Sequence, residues 1–320
     1  MSIDVIVCGS LNMDLVARVA ALPRSGETVP GSSLQRFPGG KGLNQAIAAA
    51  RMGARTAMLG ASADDADGEM LRALLDSEGI DTRFVAVREA RQRPEAHTGL
   101  AMVWVAADGE NAIVVQGGAN ATLTAAEARQ ALRAVSATAK VAMAQLETPL
   151  ETVAVFLEAA HAEGVRTLLN TAPALPGSQA LLAYADIVVL NETELAYYAG
   201  EQSAEPALSL EACASVARRL ATGSSSSSRP TQTLVVTLGA RGALTICGED
   251  IAHHPAPRVT AVDTTGAGDC FCGVLAAALA AEVPLSAAVQ RANRAAALAV
   301  GRIGAATAMP RADELGDGSG

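Results

Sequence analysis

Asp263-Thr264-Thr265-Gly266-Ala267-Gly268-Asp269 runs directly into residues 270–281, which are apolar almost all the way round. Such a run reads as a buried helix. The glycines in front of it open the first backbone N–H groups of that helix to an anion, because those donors have no acceptor within the helix. Asp269 stands at the same point. A carboxylate beside an anion nest is contradictory unless it acts on something delivered to the anion. A base that takes the proton of a hydroxyl attacking a phosphoryl group meets that condition. A helix cap is the plain alternative.

Outward from this stretch, short apolar runs alternate with helical spacing. Residues 3–8, 56–59, 141–144, 167–169, 187–190 and 234–237 read as strands. Residues 43–51, 65–78, 149–162, 192–198 and 210–220 read as helices, with Met70, Leu71, Leu74 and Leu75 marking one apolar face. Pro149 falls in a first turn, where its missing N–H costs nothing. This rhythm predicts an α/β fold, a doubly wound and mostly parallel sheet flanked by helices. Residues 15–37 lack helical spacing. Residues 97–106 and 111–115 read as a hairpin turning at Ala107-Asp108-Gly109-Glu110. They predict a small antiparallel β lid, inserted at about 15–37 and 97–117 in a single domain over 1–313. Residues 224–228, all serine, read as a flexible surface loop, and 314–320 as a flexible tail.

Of the 320 residues, 50% are hydrophobic and 18% charged, which suits a large buried core. Aromatics are only 2%, so Ala, Val, Leu and Ile fill it, and platforms that stack bases are excluded. A net charge of −9 is wrong for wrapping a nucleic acid, though a local basic pocket can hold a small phosphate. No uncharged apolar run is long enough to span a membrane, and no secretory signal is visible, so a cytoplasmic protein is expected. Cys8, Cys213, Cys247, Cys270 and Cys272 make an odd count and read as reduced thiols. Cys270-x-Cys272 has no second ligand pair, which argues against a structural metal. His97, His161, His253 and His254 show no triad or metal setting.

Phe37-Pro38-Gly39-Gly40-Lys41-Gly42-Leu43-Asn44-Gln45 opens a helix. A Walker A loop is excluded, since Gln35 stands at its first glycine and Gly42 at its Ser/Thr. Gly39 and Gly40 let backbone approach a ligand, with Lys41, Asn44 and Gln45 as donors for hydroxyls. Gly9-Ser10-Leu11-Asn12-Met13-Asp14 follows the first strand without a dinucleotide fingerprint, so a dehydrogenase reading fails. In extended backbone Asn12 and Asp14 share one face, an amide and a carboxylate suited to a polyhydroxylated ligand. Asn191-Glu192-Thr193-Glu194 reads either as a capping box or as a pair organising hydrated Mg²⁺. Thr237-Leu238-Gly239-Ala240-Arg241-Gly242 links two strands where an open α/β sheet binds its ligand.

These motifs resemble the PfkB-type carbohydrate kinase family almost end to end: GSLNMD (9–14), SGETVPG (25–31), PGGKGLNQA (38–46), GANATL (118–123), QLETPLE (145–151), LNTAPA (169–174), LNETE (190–194), TLGARG (237–242) and DTTGAGD (263–269). PGGKG-x-NQA, QLE-[ST]-PLE and N-x-APA point to its ribokinase branch. The resemblance implies an ATP-dependent sugar kinase making ribose 5-phosphate, with Asp269 as base. It implies ribose contacts from Asn12, Asp14, Gly40, Lys41, Asn44, Glu147 and Asp269. Nucleotide contacts fall on Asn191, Thr237, Leu238, Gly239, Ala240, Arg241, Gly242, Gly268, Asp269 and Asn293. The anion hole falls on Gly266, Ala267, Gly268 and Asp269, and Glu194 would act on Mg²⁺ indirectly. An activating K⁺ would lie at Asp263, Thr265, Ala299, Arg302, Gly304 and Ala308, largely on carbonyls. Asn293 stands where some members carry His, and Ala308 where some carry Ser. Paired lids would make a homodimer. The alternatives are a kinase of deoxyribose, fructose or adenosine, or a non-catalytic sensor on the same fold.

Overall fold

Strand β1 (Val5–Cys8) is buried at every position, and its side chains alternate between two cores, Ile6 and Cys8 to one side, Val5 and Val7 to the other. That alternation places it inside a sheet covered on both faces. The computed structural model describes residues 2–90, 97–108, 110–200, 209–223 and 232–316. The main sheet has nine strands. From one edge they are β13 (Asp250–His254), β12 (Ala243–Cys247), β11 (Thr233–Thr237), β10 (Ile187–Asn191), β9 (Arg166–Asn170), β8 (Val141–Ala144), β1, β4 (Thr56–Ala63) and β5 (Asp81–Arg88). All pairs are parallel except the last two at one edge, β11–β12 and β12–β13.

One face carries the core of Leu132, Val153, Phe156 and Leu157, from α3 (Ala125–Val135) and α4 (Leu150–Ala162), with α5 (Glu192–Tyr198) and α6 (Leu210–Gly223) beyond. The other is covered by α1 (Lys41–Arg51), α2 (Ala66–Ser77), α7 (Ala267–Ala280) and α8 (Leu285–Ala299). Helix α7 is buried from Asp269 through Leu279, as its all-round apolarity requires. Pro149 is the cap before α4 rather than its first residue, a shift of one position.

The lid is a four-strand sheet in the order β3 (Gly31–Gly39), β2 (Asn12–Val19), β6 (Gly99–Val105), β7 (Asn111–Gln116). Its two hairpins are antiparallel, and they join through a parallel β2–β6 pair. A parallel junction follows because β2 and β6 both leave the main domain in the same direction. The lid begins at Asn12, earlier than the expected residue 15, so the Asn12–Asp14 segment forms its root. Gly109, in the expected hairpin turn, and 224–228 lie outside the described residues. The expected tail also starts later: Glu314 lies in a short 3₁₀ turn (Ala312–Leu315), accepts from Arg311 N at 2.7 Å and pairs with Arg302. Residues 317–320 lie outside the described ones.

Among the described residues, no helix is long and apolar enough to cross a membrane. Cys8, Cys270 and Cys272 are buried free thiols pushed up by burial, Cys8 and Cys270 to about 12. They are inert, in keeping with small core side chains. The four histidines serve structure. His254 is buried against Thr245 Oγ1 at 3.0 Å and His97 Nδ1 meets the Thr98 carbonyl at 2.6 Å. His253 Nε2 meets the Arg241 carbonyl at 2.8 Å, and His161 lies 3.6 Å from Asp186.

Candidate active site

The pocket is built where the lid root, the start of α1 and the start of α7 converge. Gly40 caps α1 at φ 90°, a left-handed value open to glycine, and a Cβ there would lie 2.8 Å from Asn12 N. The turn sets Lys41 and Asn44 beside β2. A Cβ on Gly39, the register partner of Asn12 on β3, would strike the Asp14 carboxylate at 2.2 Å, so that side chain lies over the glycine. Glu147, after β8, accepts from Lys41 N at 3.1 Å and from Ser10 Oγ at 2.5 Å.

Asp269 is buried in the first turn of α7. Its Oδ2 accepts from Asn44 Nδ2 and its Oδ1 from Gln45 Nε2, both at 2.9 Å. All seven expected sugar ligands, Asn12, Asp14, Gly40, Lys41, Asn44, Glu147 and Asp269, are thus brought close together by backbone contacts, hydrogen bonds and charge. Gln45, expected to hold a hydroxyl, instead donates to Asp269 and to Asn170. Asn44 Oδ1 is buried with no partner, a cost of about 1–3 kcal/mol that a ligand hydroxyl would remove.

The electrostatics are lopsided: four carboxylates, Asp14, Glu147, Glu194 and Asp269, act around one ammonium, Lys41. Burial, then the charges of Glu147 and Asp269, push Asp14 up to about 7 against the pull of Lys41. For Lys41, burial works to lower its value, but Asp269, Glu147 and Glu194 outweigh it and hold the ammonium charged. Burial raises Glu194 as well, in spite of the Asn191 N–H and Lys41. An acidic cluster round a lysine suits a neutral ligand rich in hydroxyl donors.

The nucleotide positions gather at the C-terminal strand ends. Asn191 and Thr237 are register partners on β10 and β11. Leu238 leads into a 3₁₀ turn of Gly239, Ala240 and Arg241, and Gly242 packs so tightly that a Cβ would lie 2.0 Å from the His254 carbonyl. Asn293, on α8, donates to that same carbonyl at 2.8 Å, so its side chain fastens α8 to β13. Arg241 pairs with Glu192. The capping box at Asn191 is formed: Glu194 N donates to Asn191 Oδ1 at 2.8 Å, and Asn191 N to Glu194 Oε2 at 2.9 Å.

Gly266 caps α7 at φ 73°, followed by Ala267, Gly268 and Asp269 in its first turn. A Cβ on Gly268 would meet nothing within 4 Å, so open space adjoins these N–H groups. Behind them, Asp263 Oδ1 accepts from Thr265 N and Oδ2 from Gly304 N, both at 2.9 Å. Burial works to raise Asp263, but the Thr265 hydroxyl, with the Gly304 and Thr265 N–H groups, holds it below the usual carboxylate range. Ala299 ends α8, its carbonyl accepts from Arg302 N at 3.0 Å, and Ala308 ends a 3₁₀ turn nearby in sequence. Among the described residues, no group of three or more His, Cys, Asp and Glu side chains is placed to hold a metal.

Four further residues shape the site without having been singled out. Ser10 orders Glu147. Asn120 Nδ2 donates to Asn12 Oδ1 at 2.8 Å, fixing that amide. Gln145 and Asn170 hold Gln45. Each lies in a motif quoted above, but a sequence does not reveal which amide faces which.

A family model described as pfkB family carbohydrate kinase matches residues 2–312. The chain is 37% identical over 314 residues to a ribokinase of Bacillus subtilis, covering 98% of both chains. It is 32% identical over 317 residues to a deoxyribokinase of Salmonella typhi, again covering 98% of both. Among solved structures, the Arabidopsis thaliana ribokinase complexed with ribose and ATP aligns with a TM-score of 0.83 at 27% identity, covering 98% of each chain. With an unbroken match from the first strand to beyond the last helix, and the motif residues gathered in one pocket, this chain belongs to the pfkB family of carbohydrate kinases.

Proposed function

We propose that this protein is a cytoplasmic, ATP-dependent ribokinase that converts D-ribose to ribose 5-phosphate. The observation that carries the reading is Asp269. Its carboxylate is buried, aimed by two amides and set in the first turn of α7, so one point offers both a base and a cluster of anion-facing N–H groups. The sugar lies under the lid against Asn12, Asp14, Lys41, Asn44 and Glu147, with Gly40 backing it. The nucleotide lies across the strand ends from Asn191 to Gly242. Asp269 takes the proton of the sugar hydroxyl as its oxygen bonds to the γ-phosphorus and the bond from that phosphorus to the bridging oxygen of ADP breaks. The amides of Gly266–Asp269 and Lys41 offset the developing charge.

Mg²⁺ suits Glu194, whose two hydrogen bonds both fall on Oε2, leaving Oε1 to act on a hydrated ion. It would neutralise phosphate charge. For K⁺, Asp263 pins residues 265 and 304 together, so their carbonyls, with those of Ala299, Arg302 and Ala308, offer oxygen ligands behind the anion hole. Exposed Leu34, Ile113, Val114 and Val115 on the lid edge strands support a homodimer formed lid to lid. The Salmonella relative keeps deoxyribose as the second reading for the acceptor.

The acceptor is tested with a panel of ribose, 2-deoxyribose, fructose and adenosine at fixed Mg-ATP. Ribose should exceed 2-deoxyribose by at least about tenfold in kcat/KM, because a polar pocket left without its hydroxyl penalises the analogue. Comparable values would move the assignment to deoxyribose, and silence on every acceptor would favour a sensor.

Asp269→Asn keeps the shape and the bond accepted from Gln45, but it sets an NH2 toward Asn44 and loses the proton acceptor. Turnover should drop by roughly 10²–10⁴-fold while ribose binding stays close to wild type. Retention of more than about a tenth of wild-type kcat would remove Asp269 as the base.

Asp14 titrates near 7 in the ligand-free protein, above its unfolded value of 3.8. Its protonated form is therefore the stabilising one: that contribution is full at acidic pH and fades as pH rises through about 7. Sugar hydroxyls donating to Asp14 favour the charged form, so ribose binding should release a proton and tighten from pH 6 to pH 8. Calorimetry in buffers of different ionisation enthalpy reads this directly. No net proton release at neutral pH, or the same release in Asp14→Asn, would contradict it.

Replacing K⁺ by Na⁺ at matched ionic strength should lower kcat. Equal rates in the two salts would show that the site lacking a serine at Ala308 does not select the larger ion.

A further inference from the structure

Gln45 has no place among the proposed sugar contacts, yet both N–H donors and the carbonyl of its side chain are engaged within the protein. It is wholly buried. Nε2 donates to Asp269 Oδ1 at 2.9 Å and to Asn170 Oδ1 at 3.1 Å, and Oε1 accepts from Gln145 Nε2 at 2.6 Å. Both N–H donors are therefore spent inside the protein, and the carbonyl already accepts from Gln145. The amide also has only one workable orientation. Turned over, its oxygen would face two oxygens and its nitrogen would face the Gln145 nitrogen. Asn170 is oriented in turn by donating from Nδ2 to the Val189 carbonyl at 3.3 Å. A backbone carbonyl of β10 thus fixes Asn170, Asn170 fixes Gln45, and Gln45 fixes one oxygen of Asp269.

We propose that Gln45 is the positioning residue for Asp269, and that Asn170 and Gln145 act on catalysis only by holding Gln45. The proposal rests on Asp269 being the base. Asn44 makes the companion bond, but its Oδ1 is unpartnered and it also serves the sugar. The Gln45 bond is the one that ligand binding leaves alone. It does two things: it turns the carboxylate so that its unused lone pairs face the hydroxyl, and it supplies a donor that favours the charged form. The groups facing Asp269 are Lys41 from α1, Asp14 from the lid root, Glu194 from α5, and Cys270 and Cys272 on α7, with Glu147 across Lys41 and Asp14. Two of these, Asp14 and Glu194, are carboxylates that the Asp269 charge helps to push up, so the carboxylates share one crowded field.

The test is Gln45→Leu, with kcat followed against pH under saturating Mg-ATP and ribose, and ribose affinity measured by calorimetry. We expect kcat to fall by about tenfold or more, ribose Kd to change by less than about threefold, and the acid limb of the kcat profile to move up by roughly one pH unit. A fall in kcat with an unmoved acid limb, or a loss carried mainly by ribose binding, would overturn the proposal and leave Gln45 a packing residue. Gln145→Met is the second variant. It leaves both Gln45 donors in place but removes the donor that anchors Oε1, so it should give a smaller loss with the same direction of pH shift; a wild-type profile would count against the proposal. Asp269→Asn run in parallel separates the two readings. If it retains turnover, the base assignment fails and takes this role with it. If it is inactive while Gln45→Leu keeps the wild-type profile, only the positioning role fails.

Discussion

Helix α1 is wedged between β1 and α7 by contacts that admit no side chain. A Cβ on Gly42 would lie 2.5 Å from Gly9 C and Ser10 N, and one on Gly273 would lie 2.4 Å from the Gln45 carbonyl. Backbone therefore touches backbone on both sides of the helix start. The consequence is positional. Lys41, Asn44 and Gln45 come from α1, Ser10 and Asn12 from the segment after β1, and Asp269 from α7. The bonds from Asn44 and Gln45 to Asp269, both 2.9 Å, and from Leu43 N to the Ser10 carbonyl, 2.9 Å, would not close if these interfaces were a methyl group wider. The small-residue character of these segments is thus a distance requirement of the chemistry as much as a packing preference.

The same closeness creates the electrostatic problem of the site. Bringing four carboxylates around one lysine in a partly buried pocket raises Asp14 and Glu194. Ligands relieve the strain in different ways. Hydroxyl donors would satisfy the carboxylates, and a hydrated cation of the kind proposed above would supply positive charge near Glu194. The pocket is therefore better satisfied when filled than when empty, which is the condition under which binding energy can be spent on orienting the reacting groups.

The core of the fold was legible because its signals are local. Residues 141–144 and 192–198 match their elements end to end, and the apolar run after Asp269 fixes α7 as a buried helix. The edge strands β5 and β13 were not singled out, because their patterns are partly exposed, and neither was β12, a buried strand of only five residues. The parallel β2–β6 junction was not legible at all: it depends on how two distant segments meet, and neither carries a mark of its partner's direction. In the site, charged and glycine positions were legible and amides were not. A glutamine at the start of a helix reads as a donor for ligand whether it faces ligand or a carboxylate. Only the structure shows Gln45 spent on Asp269 and Asn293 spent on the His254 carbonyl.

The lid root shows why this matters for a protein that must close over its ligand. Asn120 Oδ1 accepts from Leu11 N at 2.9 Å, while its Nδ2 donates to Leu11 O at 3.1 Å and to Asn12 Oδ1 at 2.8 Å. Asn12 is thereby left with its Nδ2 as the group to offer a sugar. Room for this arrangement comes from Gly99 at the start of β6, where a Cβ would lie 2.2 Å from both amides. The two lid hairpins and the domain are tied at one buried point, beside the side chain that meets the ligand. The root thus fixes the Asn12 amide through Asn120 and Leu11, independently of the outer strands β3 and β7 of the lid.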